Sequence, residues 1–405
     1  MAKVRVTAKP KGKNNIELRP SENSQLGDLR REQERHQKVR NSNLAILVAA
    51  IVLLVLYAFS VTLFVLPGQS SGTLAGLLMD MREKFTYFLR FISGSGGGFS
   101  SNIVRYTIIV LSGAALASAG CVFQGSFRNI IASPSTMGVQ AGASLGNTLY
   151  TFFFSEVVAG TVVIQSDYEA TSNYDVWTLN KQQLCAVAAA LISVWIVTGI
   201  ATLLGKGTFS GGNILFSGII FSSFVGAINT VFEYYFMYYD PDNTRWRNLQ
   251  VFSMGSFDKV MNYHHLAMMS IVLVPCLLLL LFISPKLNVI VMGEDEAVTM
   301  GVNVRLYRAL LISVGTLMAA VVYAFVGAIG FVGFIVPQIC RRFTGPDFRK
   351  LIPMCMIMGG VLLILVYNLA LLFGFSLYMN MVTSVIGCSM MVYSLLAGKG
   401  GRSYA

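Results

Sequence analysis

Long apolar runs constrain this chain more than any other feature of its sequence. Runs of about twenty apolar residues, the length of helix that crosses about 30 Å of hydrocarbon, recur along nearly the whole chain. Of its 405 residues, 55% are hydrophobic and 12% are charged, whereas about 25% of the residues in soluble domains are charged. The sequence predicts an all-α membrane protein with about ten transmembrane segments, at residues 44–66, 103–123, 135–154, 184–204, 213–238, 265–284, 308–326, 327–340, 352–373 and 380–397.

The eighth run, 327–340, is too short to cross the bilayer alone. We expect a broken helix inside the bundle, because non-helical backbone at membrane depth is tolerated where protein covers it. The predicted helix breaks, which also let neighbouring backbones pack closely, are Gly327, Gly330, Gly333 and Pro337.

The first 43 residues differ sharply from the rest, since they contain eleven Lys or Arg and five acidic residues. The first apolar stretch begins only at residue 44, which is too late for a secretory signal. Basic flanks of membrane spans stay in the cytoplasm. We therefore predict a basic cytoplasmic extension at 1–43, in contact with anionic lipid and not with nucleic acid, and a transmembrane domain at 44–400. Ten segments return the C-terminus to the cytoplasm as well.

Several kinds of chemistry are disfavoured by the residues present. The stretch GIATLLGKGT at 199–208 comes nearest to a phosphate-binding loop, but its spacing is one residue too long and Lys206 is followed by glycine. Ion-coupled secondary transporters usually bury an acid or a histidine within a span. Here Glu233 is the only acid well inside a predicted span, so this competing class is disfavoured. The six cysteines form no CxxC pair and have no histidine at ligand spacing, which indicates buried thiols. The sequence thus predicts no enzyme active site, no metal site and no cofactor in this chain.

The stretch GEDEAVTMGVNV at 293–304 lies between two spans, on the predicted cytoplasmic side. Its acids suit the positive end of a helix dipole, Gly301 suits a left-handed C-cap, and Ala297 offers a small face for close packing. These features predict a short helix; the alternative is a solvated loop.

Two long stretches carry a family resemblance. GAALASAGCVFQGSFRNIIASPSTMGVQAGASLG at 113–146 is similar to GAALALSG…QGLFRNPLADPxLLGVSSGAALG, and VGAIGFVGFIVPQICRRFTGPDFRKLIP at 326–353 is similar to AGPIGFVGLIVPHIARLLVGPDHRRLLP. Both patterns are typical of the iron-siderophore and vitamin B12 ABC importer permease family, the FecCD-type transmembrane subunits. A third match, to GxxxAxxLGV, falls on GEDEAVTMGV at 293–302.

This resemblance implies a type II ABC importer permease bundle in the cell membrane of a bacterium, paired with a second permease subunit of the same or a homologous sequence. Two cytoplasmic ATPases, which hold the ATP and Mg²⁺, would drive it, and an extracellular or periplasmic binding protein would deliver the cargo. The resemblance implies that 293–303 is the coupling helix that docks on the ATPase, through Gly293, Glu294, Glu296, Ala297 and Gly301.

Other residues take roles by their position in the family pattern. Arg105 matches an outer-surface arginine and is predicted to pair with an acid of the binding protein; the alternative is a residue that anchors a helix end. Ser217 and Gly218 resemble the helix that lines the translocation path. The expected cargo is an iron-siderophore complex, with vitamin B12 and haem as alternatives. The sequence also departs from the family, since SNIVR at 101–105 replaces LRLPR and Asn368 replaces an Asp.

Overall fold

The computed structural model describes residues 40–60, 98–154, 176–204, 211–240, 244–258, 263–301, 303–373 and 378–397. Within these ranges the regular structure is entirely helical, with no β-strand. The helices are α1 (Arg40–Ser60), α2 (Gly98–Ser126), α3 (Val139–Phe153), α4 (Val176–Leu204), α5 (Gly211–Tyr239), α6 (Thr244–Met254), α7 (Tyr263–Met292), α8 (Glu294–Thr299), α9 (Val304–Val326), α10 (Val332–Thr344), α11 (Phe348–Leu372) and α12 (Met379–Ala397).

Each of the ten predicted segments coincides with a helix, and the prediction of an all-α membrane protein is confirmed. In the described part of the chain, seven helices are long and apolar enough to cross a membrane, namely α1, α2, α4, α5, α7, α9 and α11. Helix α3 has 15 residues and α10 has 13, which is less than a bilayer requires. The short, partly polar helix α6 was not predicted. Of the predicted N-terminal extension, residues 1–39 lie outside the described residues.

Helix α2 forms the centre of the bundle, where it packs against α7, α9, α10 and α11. Glycines make these approaches close. A Cβ at Gly113 would collide with the backbone carbonyl of Gly359 in α11, and one at Gly120 would collide with that of Gly333 in α10. Backbones that approach this closely gain van der Waals contact, which drives helix association in a bilayer. Gly120 and Gly333 thus let the backbones of α2 and α10 approach closely.

A second group of helices, α3, α4 and α5, packs together and joins the central group through α9. Gly142 and Gly146 face α4, where a Cβ would collide with Ser193 and with the carbonyl of Cys185 respectively. Polar side chains also form a hydrogen bond across this contact, since Nε2 of Gln182 donates to Oδ1 of Asn147 at 2.5 Å. The bundle thus has two groups of helices with α9 between them.

The two ends of the bundle are defined by side chains of α2. Near its start, Arg105 contacts Tyr367 of α11, and just beyond its end Arg128 contacts Ile290 of α7. Helix α2 therefore runs antiparallel to α11 and parallel to α7. At 1.5 Å per residue, these two places are about 30 Å apart, close to the thickness of a hydrocarbon core. We call them the Arg105 end and the α8 end.

The predicted break in the eighth segment lies at residues 327–331, between α9 and α10. Gly327 ends α9 with a φ of 87°, a left-handed conformation that favours glycine. The freed backbone groups find partners, as the N–H of Ala328 donates to the carbonyl of Phe252 and that of Gly330 donates to Asn380. The break is therefore covered by α6 and α12, as non-helical backbone at this depth requires.

Pro337 is a correction to the prediction. It is the sixth residue of α10, and α10 continues past it to Thr344. Pro337 lies beyond the first turn, so its missing N–H leaves the carbonyl of Gly333 without its helical partner. That carbonyl accepts instead from Nε2 of Gln124 at 3.5 Å. Pro337 thus does not separate the two helices.

Candidate functional site

The predicted coupling stretch forms a separate short helix, α8, between two membrane-spanning helices. It starts directly after Gly293, packs against α7 and α9, and closes with the N–H of Ala297 donating to the carbonyl of Gly293 at 3.1 Å. The N–H of Met300 donates to the carbonyl of Glu296 at 3.2 Å. The short helix predicted from the sequence is therefore present, and the alternative of a solvated loop is wrong.

The turn that follows α8 has the predicted backbone conformation. Gly301 has a φ of 73° and is exposed, and no atom lies within 4 Å of the place where a Cβ would stand. Asn303 then caps α9, since its side chain accepts from the N–H of Leu306 at 3.1 Å. The glycine at 301 is thus required by the backbone conformation and not by a shortage of space.

Ala297 was predicted to contact the ATPase, but the structure places it on the buried face of α8. Its side chain is fully buried in the hydrophobic core, so the small face packs against its own chain and is not offered to a partner. The exposed residues are Glu296, Thr299, Met300 and Gly301, while Gly293 is buried. The side chain of Glu294 is outside the described part of the structure. Among the described side chains of this stretch, the surface available to a partner therefore includes Glu296 and the turn at 299–301.

Arg105, the predicted docking cation, has a partner within its own chain. Its Nη1 donates to the hydroxyl of Tyr367 at 3.0 Å and lies 3.7 Å from Oδ1 of Asp258. The Tyr367 hydroxyl in turn donates to the same carboxylate oxygen at 2.8 Å. Only 16% of the Arg105 side chain is exposed. The structure therefore places Arg105 in an internal ion pair between α2, α11 and the turn after α6, which differs from the predicted exposed cation.

A second polar group extends this network towards α1. The Tyr106 hydroxyl donates to Oδ1 of Asn368 at 2.9 Å, and Nδ2 of Asn368 donates to Ser60 at 2.6 Å. An asparagine serves both partners because its amide carries an acceptor and a donor, whereas an ionised aspartate would only accept. The departure from the family pattern at Asn368 thus has a local structural explanation.

The predicted path residues on α5 face the interior of their own subunit. Ser217 is fully buried and donates to the carbonyl of Asn213 at 2.8 Å. A Cβ at Gly218 would collide with the carbonyl of Thr136, so this glycine lets α5 approach the segment before α3. Both residues therefore pack the subunit, and the prediction that they line an open path is wrong for this arrangement. The exposed residues of α5 include instead several large apolar side chains, Phe216, Ile219, Ile220, Phe224 and Val231.

Two titratable side chains near the ends of membrane-spanning helices have partners within their own chain. The ring of His265 is buried against Phe325, with the ring centroids 5.9 Å apart, and Glu233 accepts from Gln250 at 3.1 Å. In the part of the chain that the structure describes, no three His, Cys, Asp or Glu side chains are grouped to hold a metal ion.

Comparison with known proteins gives a consistent family assignment. Residues 97–397 match the FecCD transport family. The chain is 31% identical over 295 residues to the cobalamin import system permease protein BtuC of Halobacterium salinarum, covering 72% of each chain. It is also 31% identical to the vitamin B12 import system permease protein BtuC of Salmonella typhi, covering 72% of this chain and 81% of that protein.

Two further comparisons agree. The chain is 29% identical over 331 residues to the uncharacterized ABC transporter permease protein YvrB of Bacillus subtilis, covering 76% of this chain and 85% of that protein. A solved metal-chelate type ABC transporter in an inward-facing conformation superposes with a TM-score of 0.66 at 23% identity, covering 87% of this chain and 99% of that one, which shows a shared fold. The chain belongs to the FecCD transport family and is a permease subunit of an ABC importer.

Proposed function

We propose that this permease imports a chelated metal, with an iron-siderophore complex as its cargo, and that α8 couples it to a separate ATPase. The observation that carries the coupling role is the position of α8, whose exposed residues Glu296 and 299–301 lie between the membrane-spanning helices α7 and α9. A partner that moves α8 would move both of these helices. ATP and Mg²⁺ would be bound by the ATPase.

The distribution of charge supports a cytoplasmic location for the α8 end. Ser60, at the end of α1, contacts Asn368 at the Arg105 end, so the start of α1 at Arg40 lies at the α8 end. In the sequence, α1 directly follows the basic stretch. Basic residues also gather there within the described chain: Arg128, Lys286, Arg305, Arg308, Arg341, Arg342, Arg349 and Lys350. Loops rich in Lys and Arg stay on the cytoplasmic side. Both termini would then be cytoplasmic, and a binding protein would meet the Arg105 end.

The exposed side of α5 supports pairing with a second permease subunit. Its apolar residues recur at helical spacing from Phe216 to Val231 and have no cover within the described chain. A second copy or a homologous subunit placed there would enclose a path between the two α5 helices. The path would then be lined by the exposed residues of α5 and not by Ser217 and Gly218.

Cobalamin is the second candidate cargo, because the 31%-identical relatives are named for cobalamin or vitamin B12 import. The iron-siderophore proposal is supported by the likeness to a metal-chelate type transporter and by the family resemblance of the sequence. Both cargoes are metal chelates, so the same permease design serves either.

The cargo is tested by uptake into proteoliposomes that contain the permease with its cognate ATPase and binding protein, sought first among the neighbouring genes. Radiolabelled iron bound to a panel of siderophores is compared with radiolabelled cobalamin, with ATP inside the vesicles. We expect ATP-dependent uptake of at least one iron-siderophore complex. Uptake of cobalamin alone would contradict the iron-siderophore proposal and establish the second candidate.

A further inference from the structure

Three helix ends meet beside α8, at what we call the α8 corner: Gly125 and Arg128 from the end of α2, Leu287, Asn288 and Ile290 from the end of α7, and Asp347 and Phe348 from the start of α11. Gly125 lets the ends approach, because a Cβ there would stand 2.8 Å from the Phe348 ring and 3.2 Å from Leu287. Leu287, Ile290 and Phe348 are buried. The apolar part of the corner is therefore closely packed.

Arg128 binds the end of α7. Its Nη2 donates to the carbonyl of Ile290 at 2.7 Å, and Ile290 lies in the last turn of α7, where carbonyls have no partner within the helix. A cation at this place also interacts favourably with the negative end of the helix dipole. Arg128 itself has a φ of 48°, which is uncommon for a residue with a long side chain. The backbone thus adopts an unfavourable conformation where the side chain reaches α7.

Asn288 binds the start of α11 from the other side. Its Nδ2 donates to Oδ1 of Asp347 at 2.7 Å, and its Oδ1 accepts from the N–H of Phe348 at 2.8 Å. Asp347 is also the N-cap of α11, since it accepts from the N–H of Arg349 at 3.0 Å. The last turn of α7 is therefore held to α2 by one side chain and to α11 by another, a few residues before α8 begins.

We infer that Arg128 and Asn288 are positioning residues that transmit movement of α8 to α2 and α11. The inference rests on the proposed coupling role of α8. Helices α2 and α11 continue to the Arg105 end, where they carry Arg105 and Tyr367, and their close contact at Gly113 and Gly359 lets them move as one unit. A displacement of α8 by the ATPase would then reach the opposite side of the membrane through these two helices.

Hydrogen exchange of the full chain in nanodiscs, without ATPase, tests the clamp itself. We expect Arg128→Met to speed the exchange of amides in the last turn of α7 and in α8 by about tenfold, because a hydrogen bond from a charged donor to a carbonyl is lost. Arg128→Lys should restore most of the protection. The matched control is Arg349→Gln, which removes the charge of an exposed arginine at the same end. Unchanged exchange in Arg128→Met would overturn the inference.

Uptake and ATP hydrolysis by the assembled importer test the transmission. We expect Arg128→Met to hydrolyse ATP at the wild-type rate but to take up several-fold less cargo per ATP, and Asn288→Ala to do the same if Arg128→Met does not fold. Faster exchange with an unchanged ratio of uptake to hydrolysis would overturn the inference. The proposed coupling role is tested separately by Glu296→Lys, on the exposed face of α8. If that variant leaves ATPase assembly and uptake unchanged, the coupling role of α8 itself is contradicted.

Discussion

At the scale of single residues, Asp258 determines what is available to Arg105. The two side chains are 16% and 24% exposed, and Tyr367 donates to the same carboxylate. A carboxylate of a binding protein would have to compete with a partner that is already in place. The docking role of Arg105 remains a prediction, and the internal pair is the arrangement that the structure shows.

The variant Asp258→Asn distinguishes a docking role of Arg105 from a purely internal ion pair. The amide oxygen still accepts from Tyr367, but the negative charge next to Arg105 is removed. If the pair serves only its own chain, association with the binding protein stays unchanged, and this is the result we expect. Association is measured by surface plasmon resonance on the nanodisc-embedded complex at low and high salt. Tighter, more salt-sensitive association would show that Arg105 is a docking cation that Asp258 restrains.

At the scale of helices, Gly301 lies in the connection between α8 and α9 and has a positive φ. No neighbouring atom would obstruct a side chain at this position. We expect Gly301→Val to reduce uptake, because a left-handed conformation costs a β-branched residue about 1–2 kcal/mol and the turn has to rearrange. Gly301→Asn should retain uptake, since asparagine tolerates this conformation. Equal uptake by both variants in proteoliposomes would show that the conformation of this turn has no role in coupling.

The contact between α2 and α11 gives a second comparison of glycines. Gly113→Val should destabilise the permease by about 1–3 kcal/mol or more, because the added side chain meets the backbone of Gly359, which cannot rotate away. Gly199→Ala in α4 is the matched control, since no atom lies within 4 Å of its Cβ position, and it should stabilise by about 0.5–1 kcal/mol. The measurement is thermal unfolding in detergent, followed by a thiol-reactive dye on the buried Cys121, Cys340 and Cys355. Equal unfolding temperatures would contradict the packing.

The helices that the sequence predicts and those that it misses differ in a physical property. A membrane span is selected by hydropathy, which is read along the chain, so all ten apolar runs coincide with helices. Helix α6 has a mixed composition, TRWRNLQVFSM, and carries no such signal. The six residues of α8 are too few for a periodic pattern to show which face is buried. The inward position of Ala297 and the pairing of Arg105 with Asp258 depend on contacts that are distant in sequence.

At the scale of the whole molecule, the proposed orientation predicts which residues a membrane-impermeant reagent reaches. In a variant whose native cysteines are replaced by serine or alanine, Glu296→Cys should react with a maleimide only in inside-out vesicles. Asp240 follows α5 and accepts from the N–H of Arg245 in α6, the helix that leads to Asp258 at the Arg105 end. Asp240→Cys should react only from the outside of intact cells. The reverse pattern would contradict the cytoplasmic location of the α8 end.

The dependence of uptake on a separate ATPase tests the central claim most directly. Proteoliposomes containing the permease alone, with proton or sodium gradients of either direction, are compared with proteoliposomes that also contain the ATPase, the binding protein and internal ATP. We predict cargo uptake only in the complete system, and its loss when ATP is replaced by a non-hydrolysable analogue. Accumulation of cargo by the permease alone, driven by an ion gradient, would contradict the account and establish a secondary transporter.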